Sequence, residues 1–334
     1  MILSFSGRDN RRILILIILA VLCIFAFILS LSQGSLKLSL SQVLHSIFFE
    51  STGPHYQIIY NIRLPRTLVA AFVGMSLSLS GCILQGIMRN PLASPHLIGI
   101  SAGAGLAGIF ILIVMPSAFH LLTPAAFMGA LVTTIIIYAL AWQQGLKPTR
   151  LILAGVAVSS FMGAWITALM IFFPERVHSV LGFMVGGLSA RSWKHFYIIL
   201  PYSVTGFFLA IVLAKRLNIL LLGDDIARSL GLNVEKNRLL FIALAALLAA
   251  SAVSVAGLLG FVGLIVPHMT RFLIGSDYRF LLPACALTGS CLLMVCDTVA
   301  RVALDPVELP VGIIMAVLGA PFFLYLLRSN FNKG

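Results

Sequence analysis

Apolar runs of about 20 residues recur from one end of this sequence to the other, and no other feature constrains its folding as tightly. Each run is long enough to cross the hydrocarbon core of a bilayer as a helix. Inside that core every backbone N–H and C=O must find a partner within protein, so only helices or closed barrels can span it. The runs are unbroken and show no period-two alternation, which selects helices. Ten can be placed, at roughly 13–32, 64–86, 96–115, 122–142, 151–173, 196–215, 238–257, 259–273, 281–300 and 309–328. The fold class is therefore all-α, a polytopic membrane protein with about ten transmembrane helices, and residues 1–334 read as a single transmembrane domain. The first run follows Arg8, Arg11 and Arg12, as the core of a signal peptide would. It is too long for one and no small-residue cleavage site follows, so it reads as a retained span.

Only 10% of residues are charged, yet the net charge is +12. A basic balance can mark a nucleic-acid partner, but here its distribution follows topology. With both termini inside, 15 of the 22 Lys and Arg residues fall on the inner side. The other 7, Lys37, Arg63, Arg66, Arg176, Arg191, Lys194 and Arg301, fall outside. That excess is the positive-inside pattern, and no nucleic-acid partner is implied. The cysteines, Cys23, Cys82, Cys285, Cys291 and Cys296, all lie within runs at spacings that suit no metal, and read as small apolar core residues.

Two interruptions carry more information than the runs. The first is "RNPLASPHLIGISAGAG", Arg89 to Gly105. Pro91 and Pro95 break any helix and bias the residues before them away from it. Irregular backbone near a membrane survives only where protein or water covers it, so this stretch is a turn at the inner face or the wall of an aqueous route. The small residues after it, Gly99, Gly103 and Ala107 at four-residue steps, allow a close helix approach, as do Gly182 and Gly186. The second interruption is "LGDDIARSLGLN". Gly223 breaks the chain, Asp224 or Asp225 can accept from free amides at a helix start, and Gly231 can end the helix in the left-handed conformation. A short helix at about 222–232 results, with Ile226 and Leu230 on one face. Such a helix is marginal alone and needs something to dock against.

The remaining chemistry is sparse. No Gly-Lys dipeptide occurs, so a phosphate-binding loop is absent and ATP hydrolysis by that mechanism is excluded. Intramembrane ionisable residues, the usual mark of ion-coupled carriers, are few. Asp297 lies near the outer end of its run and is expected to pair with Arg301 four residues on. His268, beside Pro267, reads as a helix-end contact. These absences count against an ion-coupled secondary transporter and against a membrane-embedded enzyme.

Five stretches in order, "RLPRTLVAAFVGMSLSLSGCILQGIMRNPLASPHLIGISAGAG", "LILAGVAV", "GDDIARSLGL", "GFVGLIVPHMTR" and "ELPVGIIMAVLGAPFFLYLL", resemble the FecCD-type permease family of ABC importers for ferric siderophores, haem and cobalamin. The resemblance runs from about Asn61 to Leu327. It implies the fold of a type II ABC importer, the cobalamin-importer-permease-like arrangement. It implies a dimer, formed with an identical copy or a paralogue, two separate ABC ATPase subunits that bind ATP and Mg, and a periplasmic or lipid-anchored substrate-binding protein. The chain itself would carry no cofactor and no metal, and would sit in a bacterial or archaeal cytoplasmic membrane with both termini cytoplasmic. Arg63, Arg66 and Arg301 match positions that dock the binding protein. Asn90, Leu92 and Thr149 match the cytoplasmic gate. Gly223, Asp224, Asp225, Ile226, Arg228, Ser229, Leu230 and Gly231 match the segment that enters the ATPase. Met315 stands where many relatives carry Thr or Ser. The implied cargo is a ferric siderophore or related chelate, with haem, cobalamin and oxyanions such as molybdate as alternatives.

Overall fold

The computed structural model describes residues 7–331 except 35, 37, 40, 44, 46–52, 97, 144, 146–147 and 306. Lys37, Lys147 and Lys333, counted above, lie outside the described residues. Among those described, the chain forms α1 (Gly7–Ser32), α2 (Leu64–Met88), α3 (Ile100–Val114), α4 (Leu122–Ala141), α5 (Pro148–Phe172) and α6 (Val177–Val185). These are followed by α7 (Trp193–Leu221), α8 (Asp224–Ser229), α9 (Val234–Ala256), α10 (Val262–Ile274), α11 (Tyr278–Val302) and α12 (Val311–Phe331). Seven segments are long and apolar enough to cross a bilayer, and α3, α10 and α12 contribute three shorter apolar helices. These ten correspond in order to the ten runs of the sequence. The second span begins earlier than its run, because a π-helical turn over Gln57–Arg63 continues directly into α2. Tyr60 lies in that turn, and its carbonyl accepts the Trp193 indole N–H at 3.0 Å, which ties the turn to α7.

α2 is the centre of the bundle, packed by α7, α9, α10 and α11. Its "SLSLSG" stretch is helical and buried. Residues two apart on a helix point in widely different directions. The three serines exploit this: Ser76 bonds Ser203 of α7 at 2.7 Å, Ser78 donates to the Cys285 carbonyl of α11 at 2.8 Å, and Ser80 donates to the Ala245 carbonyl of α9 at 2.7 Å. Helices in lipid gain little from burying apolar surface against one another, so close approach and such bonds must hold them. A Cβ on Gly74 would occupy the Gly289 carbonyl of α11, and one on Gly81 the Gly263 carbonyl of α10. Gly103 and Ala107 meet Gly129 of α4 in the same way. Gly182 departs from the expectation: open space surrounds it within the chain.

α3 has 15 residues and α10 has 13, giving lengths of about 22 and 20 Å, short of a core of about 30 Å. Irregular backbone therefore sits beside each. The Gly257–Phe261 break lies against the end of α6, where Leu258 N–H donates to the Phe183 carbonyl at 2.9 Å and Gly187 N–H to the Ala256 carbonyl at 2.9 Å. Gly312, at the start of α12, donates to the Gly186 carbonyl at 3.1 Å. Three broken segments thus satisfy one another, as a lipid environment requires.

Candidate functional site

The two ends of α2 carry the two sets of predicted residues. At its first end, the three arginines line one small pocket with Gly34, Leu36 and Glu308. The structure brings Arg63, Arg66 and Arg301 together, but each is only 5% exposed and each is already engaged. Arg63 donates to the carbonyls of Leu31 at 2.8 Å and Ser32 at 3.1 Å, and also to Leu36, closing the end of α1. Arg66 grips Asp297 of α11 in a fork, Nε to Oδ2 at 3.0 Å and Nη2 to Oδ1 at 2.9 Å, and its Nη1 reaches Glu308 at 2.8 Å. Arg301 donates to the Ser30 carbonyl at 3.0 Å and the Ser30 hydroxyl at 2.8 Å. Its Nε lies 3.3 Å from Asp297, so the expected four-residue pair exists but is the longer of the two that Asp297 makes.

Glu308 and Ser189 were not singled out in the sequence. Glu308 follows α11 and accepts both Arg66 and, at 3.1 Å, the Ser189 hydroxyl from the loop after α6. Partial burial pulls its carboxyl upward, but Arg66 and Ser189 outweigh that and hold it below the usual carboxylate range. Three guanidinium groups against two carboxylates leave the pocket positive.

At the other end of α2 lie the turn, α8 and the first turn of α9. Asn90 folds the turn, its side-chain oxygen accepting the Leu92 N–H at 2.9 Å, and Ala93 N–H returns to the Asn90 carbonyl at 3.1 Å. Asn90 and Leu92 are half-buried, whereas Thr149 stands exposed in the first turn of α5. The turn meets α5 through Ile98, whose carbonyl would lie 3.0 Å from a Cβ on Gly155. Ile98 and Gly155 thus join the turn to α5, with Thr149 six residues back along that helix.

α8 is shorter than its predicted span and is bounded by positive-φ glycines, Gly223 at φ 113 and Gly231 at φ 78. Its end closes as a Schellman motif, with Gly231 N–H bonded to the Arg228 carbonyl at 2.9 Å and Leu232 N–H to the Ala227 carbonyl at 3.0 Å. Its start corrects the sequence reading: neither aspartate caps it. Asp224 turns inward to Arg89 and to Arg238 of α9, whose Nη2 lies 2.9 Å from Oδ1. Ala227 is buried, and Asp225, Ile226, Arg228, Ser229 and Leu230 form the exposed ridge.

Gly99-Ile100-Ser101-Ala102-Gly103 does have the G-x-S-x-G spacing of a hydrolase nucleophile elbow, contrary to the expectation that the chain carries none. Ser101 is 3% exposed in the first turn of α3, after a loop and not a strand, so the structural context of that motif is missing. Among the described residues no group of three or more His, Cys, Asp or Glu could hold a metal.

Among the described residues, ten apolar helices, riveted at one end and carrying a short exposed helix at the other, define a polytopic membrane protein. The FecCD transport family matches residues 22–329, and the chain belongs to that family, the permeases of ABC importers. An Fe(3+)-citrate import system permease of Bacillus subtilis is 39% identical over 98% of both chains. A cobalamin import system permease of Halobacterium salinarum is 44% identical over 82% of this chain and 74% of its own length. A solved structure described as an inward-facing conformation of a metal-chelate type ABC transporter superposes with a TM-score of 0.85 at 30% identity, covering 94% of this chain and 99% of that one.

Proposed function

We propose that this permease imports a ferric chelate, of the siderophore or citrate type, in a complex powered by two separate ATPase subunits that hold ATP and Mg. The full-length similarity to an Fe(3+)-citrate permease supports that cargo over cobalamin, whose permease matches less of the chain. The permease pairs with a second copy or a paralogue, and both of its termini lie on the cytoplasmic side with α8 and the turn. A substrate-binding protein docks above, at the positive pocket of Arg63, Arg66 and Arg301. The permease holds no cofactor of its own, and cargo passes by steric enclosure.

The observation that carries the ATP-driven reading is the α8 ridge. Ile226 is 50% exposed and Leu230 60%, in a segment too short to be stable unsupported. An apolar pair beside Asp225 and Arg228 suits a protein cleft better than lipid. The test is reconstitution: permease, ATPase and binding protein in proteoliposomes, with labelled ferric citrate outside and ATP inside. Uptake should require all three, and Leu230→Asp should abolish copurification of the ATPase. Normal copurification of that variant, or uphill uptake without nucleotide, would overturn the proposal. Titrating the binding protein with ferric hydroxamate, haemin, cobalamin and molybdate decides among cargoes.

A further inference from the structure

Two hinged segments meet at the α8 end of the molecule. The turn is bounded by left-handed residues, Arg89 at φ 49 and Gly99 at φ 85. A non-glycine residue in that region is uncommon and calls for an explanation. Between them the turn holds itself together through Asn90, Leu92 and Ala93, with a further bond from Ile98 N–H to the Ser94 carbonyl at 3.2 Å. It is thus internally bonded between two left-handed residues, with Ala93, Ser94 and Ile98 packed into the bundle. α8 is bounded by Gly223 and Gly231, both at positive φ.

One ion pair joins the two. The Arg89 guanidinium, at the hinge of the turn, bonds the Asp224 carboxylate, the first residue of α8. Arg89 also lies over Gly223, with Nη1 3.7 Å from where a Cβ would stand. The same carboxylate is held by Arg238, which belongs to the central helix α9 and is 3% exposed. Arg238 fixes the pivot of α8, and Arg89 leaves that pivot toward the turn. Side-chain exposures of 39% for Arg89 and 30% for Asp224 let water reach the pair, so it can break and re-form during a cycle.

We infer that Arg89 is the positioning residue through which movement of α8 is delivered to the Asn90–Gly99 turn, with Asp224 as its receiver. This rests on the proposal that α8 is driven by the ATPase. A load on the ridge at Ile226 and Leu230 rotates α8 about Asp224, and Arg89 converts that rotation into displacement of the turn. Without the pair, ATP hydrolysis continues and the route does not follow.

The test uses the assembled complex in proteoliposomes. Arg89→Asn suits it, because Asn tolerates the left-handed conformation and is too short to reach Asp224. The variant should assemble with the ATPase and hydrolyse ATP within about twofold of the parent, while cargo moved per ATP falls about tenfold, an effect at the strong end for coupling residues. Arg89→Lys should recover much of that ratio. Combining Arg89→Asn with Asp224→Asn should lower the ratio no further than the worse single change, because both remove one link. An unchanged ratio in Arg89→Asn, or fully additive losses in the double variant, would overturn the inference. Failure of the underlying reading would appear elsewhere, as Leu230→Asp retaining its ATPase.

Discussion

Each end of α2 holds the same device, one carboxylate between two arginines. Asp297 lies between Arg66 and Arg301, and Asp224 between Arg89 and Arg238. Their surroundings separate them. Asp297 is 1% exposed and Arg66 6%, and both sit on long helices. Asp224 is 30% exposed, on a six-residue helix, and one of its partners sits on a hinge. A buried pair is expensive to break, because the group left behind is an unpaired charge away from water. A half-exposed pair loses little on breaking, because water replaces the partner. Identical chemistry therefore makes a rivet at one end and a joint at the other.

The sharpest way to break this comparison is Asp297→Asn. It removes the buried carboxylate facing two guanidinium groups, leaving Arg66 with Glu308 and Arg301 with Ser30, and the expected loss of stability is about 3 kcal/mol, read from thermal unfolding in detergent. If the variant unfolds like the parent and loses only binding-protein association, the Asp297 cluster is a docking surface and not a rivet. Asp224→Asn should have an intermediate effect of about 1.5 kcal/mol, because Arg238 keeps an amide oxygen in place of a carboxylate. Arg89→Asn should change stability by less than about 1 kcal/mol, the range of exposed pairs. Equal losses from Asp297→Asn and Arg89→Asn would remove the distinction between rivet and joint.

The same contrast explains what could be read from the sequence. The ten spans were legible because hydropathy is a local property, and α8 was legible because Gly223 and Gly231 punctuate it. The break at Asn90–Pro95 was equally plain. What long-range pairing decides was not legible. Arg301 was expected to pair with Asp297, but Arg63 and Arg66 looked free because their acceptors lie far off in sequence, on the last turn of α1, on Asp297 and on Glu308. Asp224 looked like a helix cap because its partners, Arg89 and Arg238, are 135 and 14 residues away. The serines of α2 lay in a run already read as a helix, but their partners were not legible, because only the packing of α7, α9 and α11 around α2 decides which groups they bond.

The α8 end also has a rivet, and pH is the gentlest way to test it. Asp277, between α10 and α11, accepts Asn218 of α7 at 2.8 Å and the Arg279 Nε at 3.0 Å, and lies 3.7 Å from Arg12 of α1. Burial raises its carboxyl, but the bonds from Arg279 and Asn218 prevail and hold it at about 2, against an ordinary value of 3.8. A carboxyl depressed on folding contributes stability that is complete above the unfolded value and fades as pH falls toward the folded one. The parent should therefore lose stability between pH 4 and pH 2 more steeply than Asp277→Asn, and the two should respond alike above pH 5. Parallel curves across the acid range would mean that Asp277 does not clamp these helices. The joint at Asp224 would then be one of several loose contacts at that end, and not a hinge set between fixed spans.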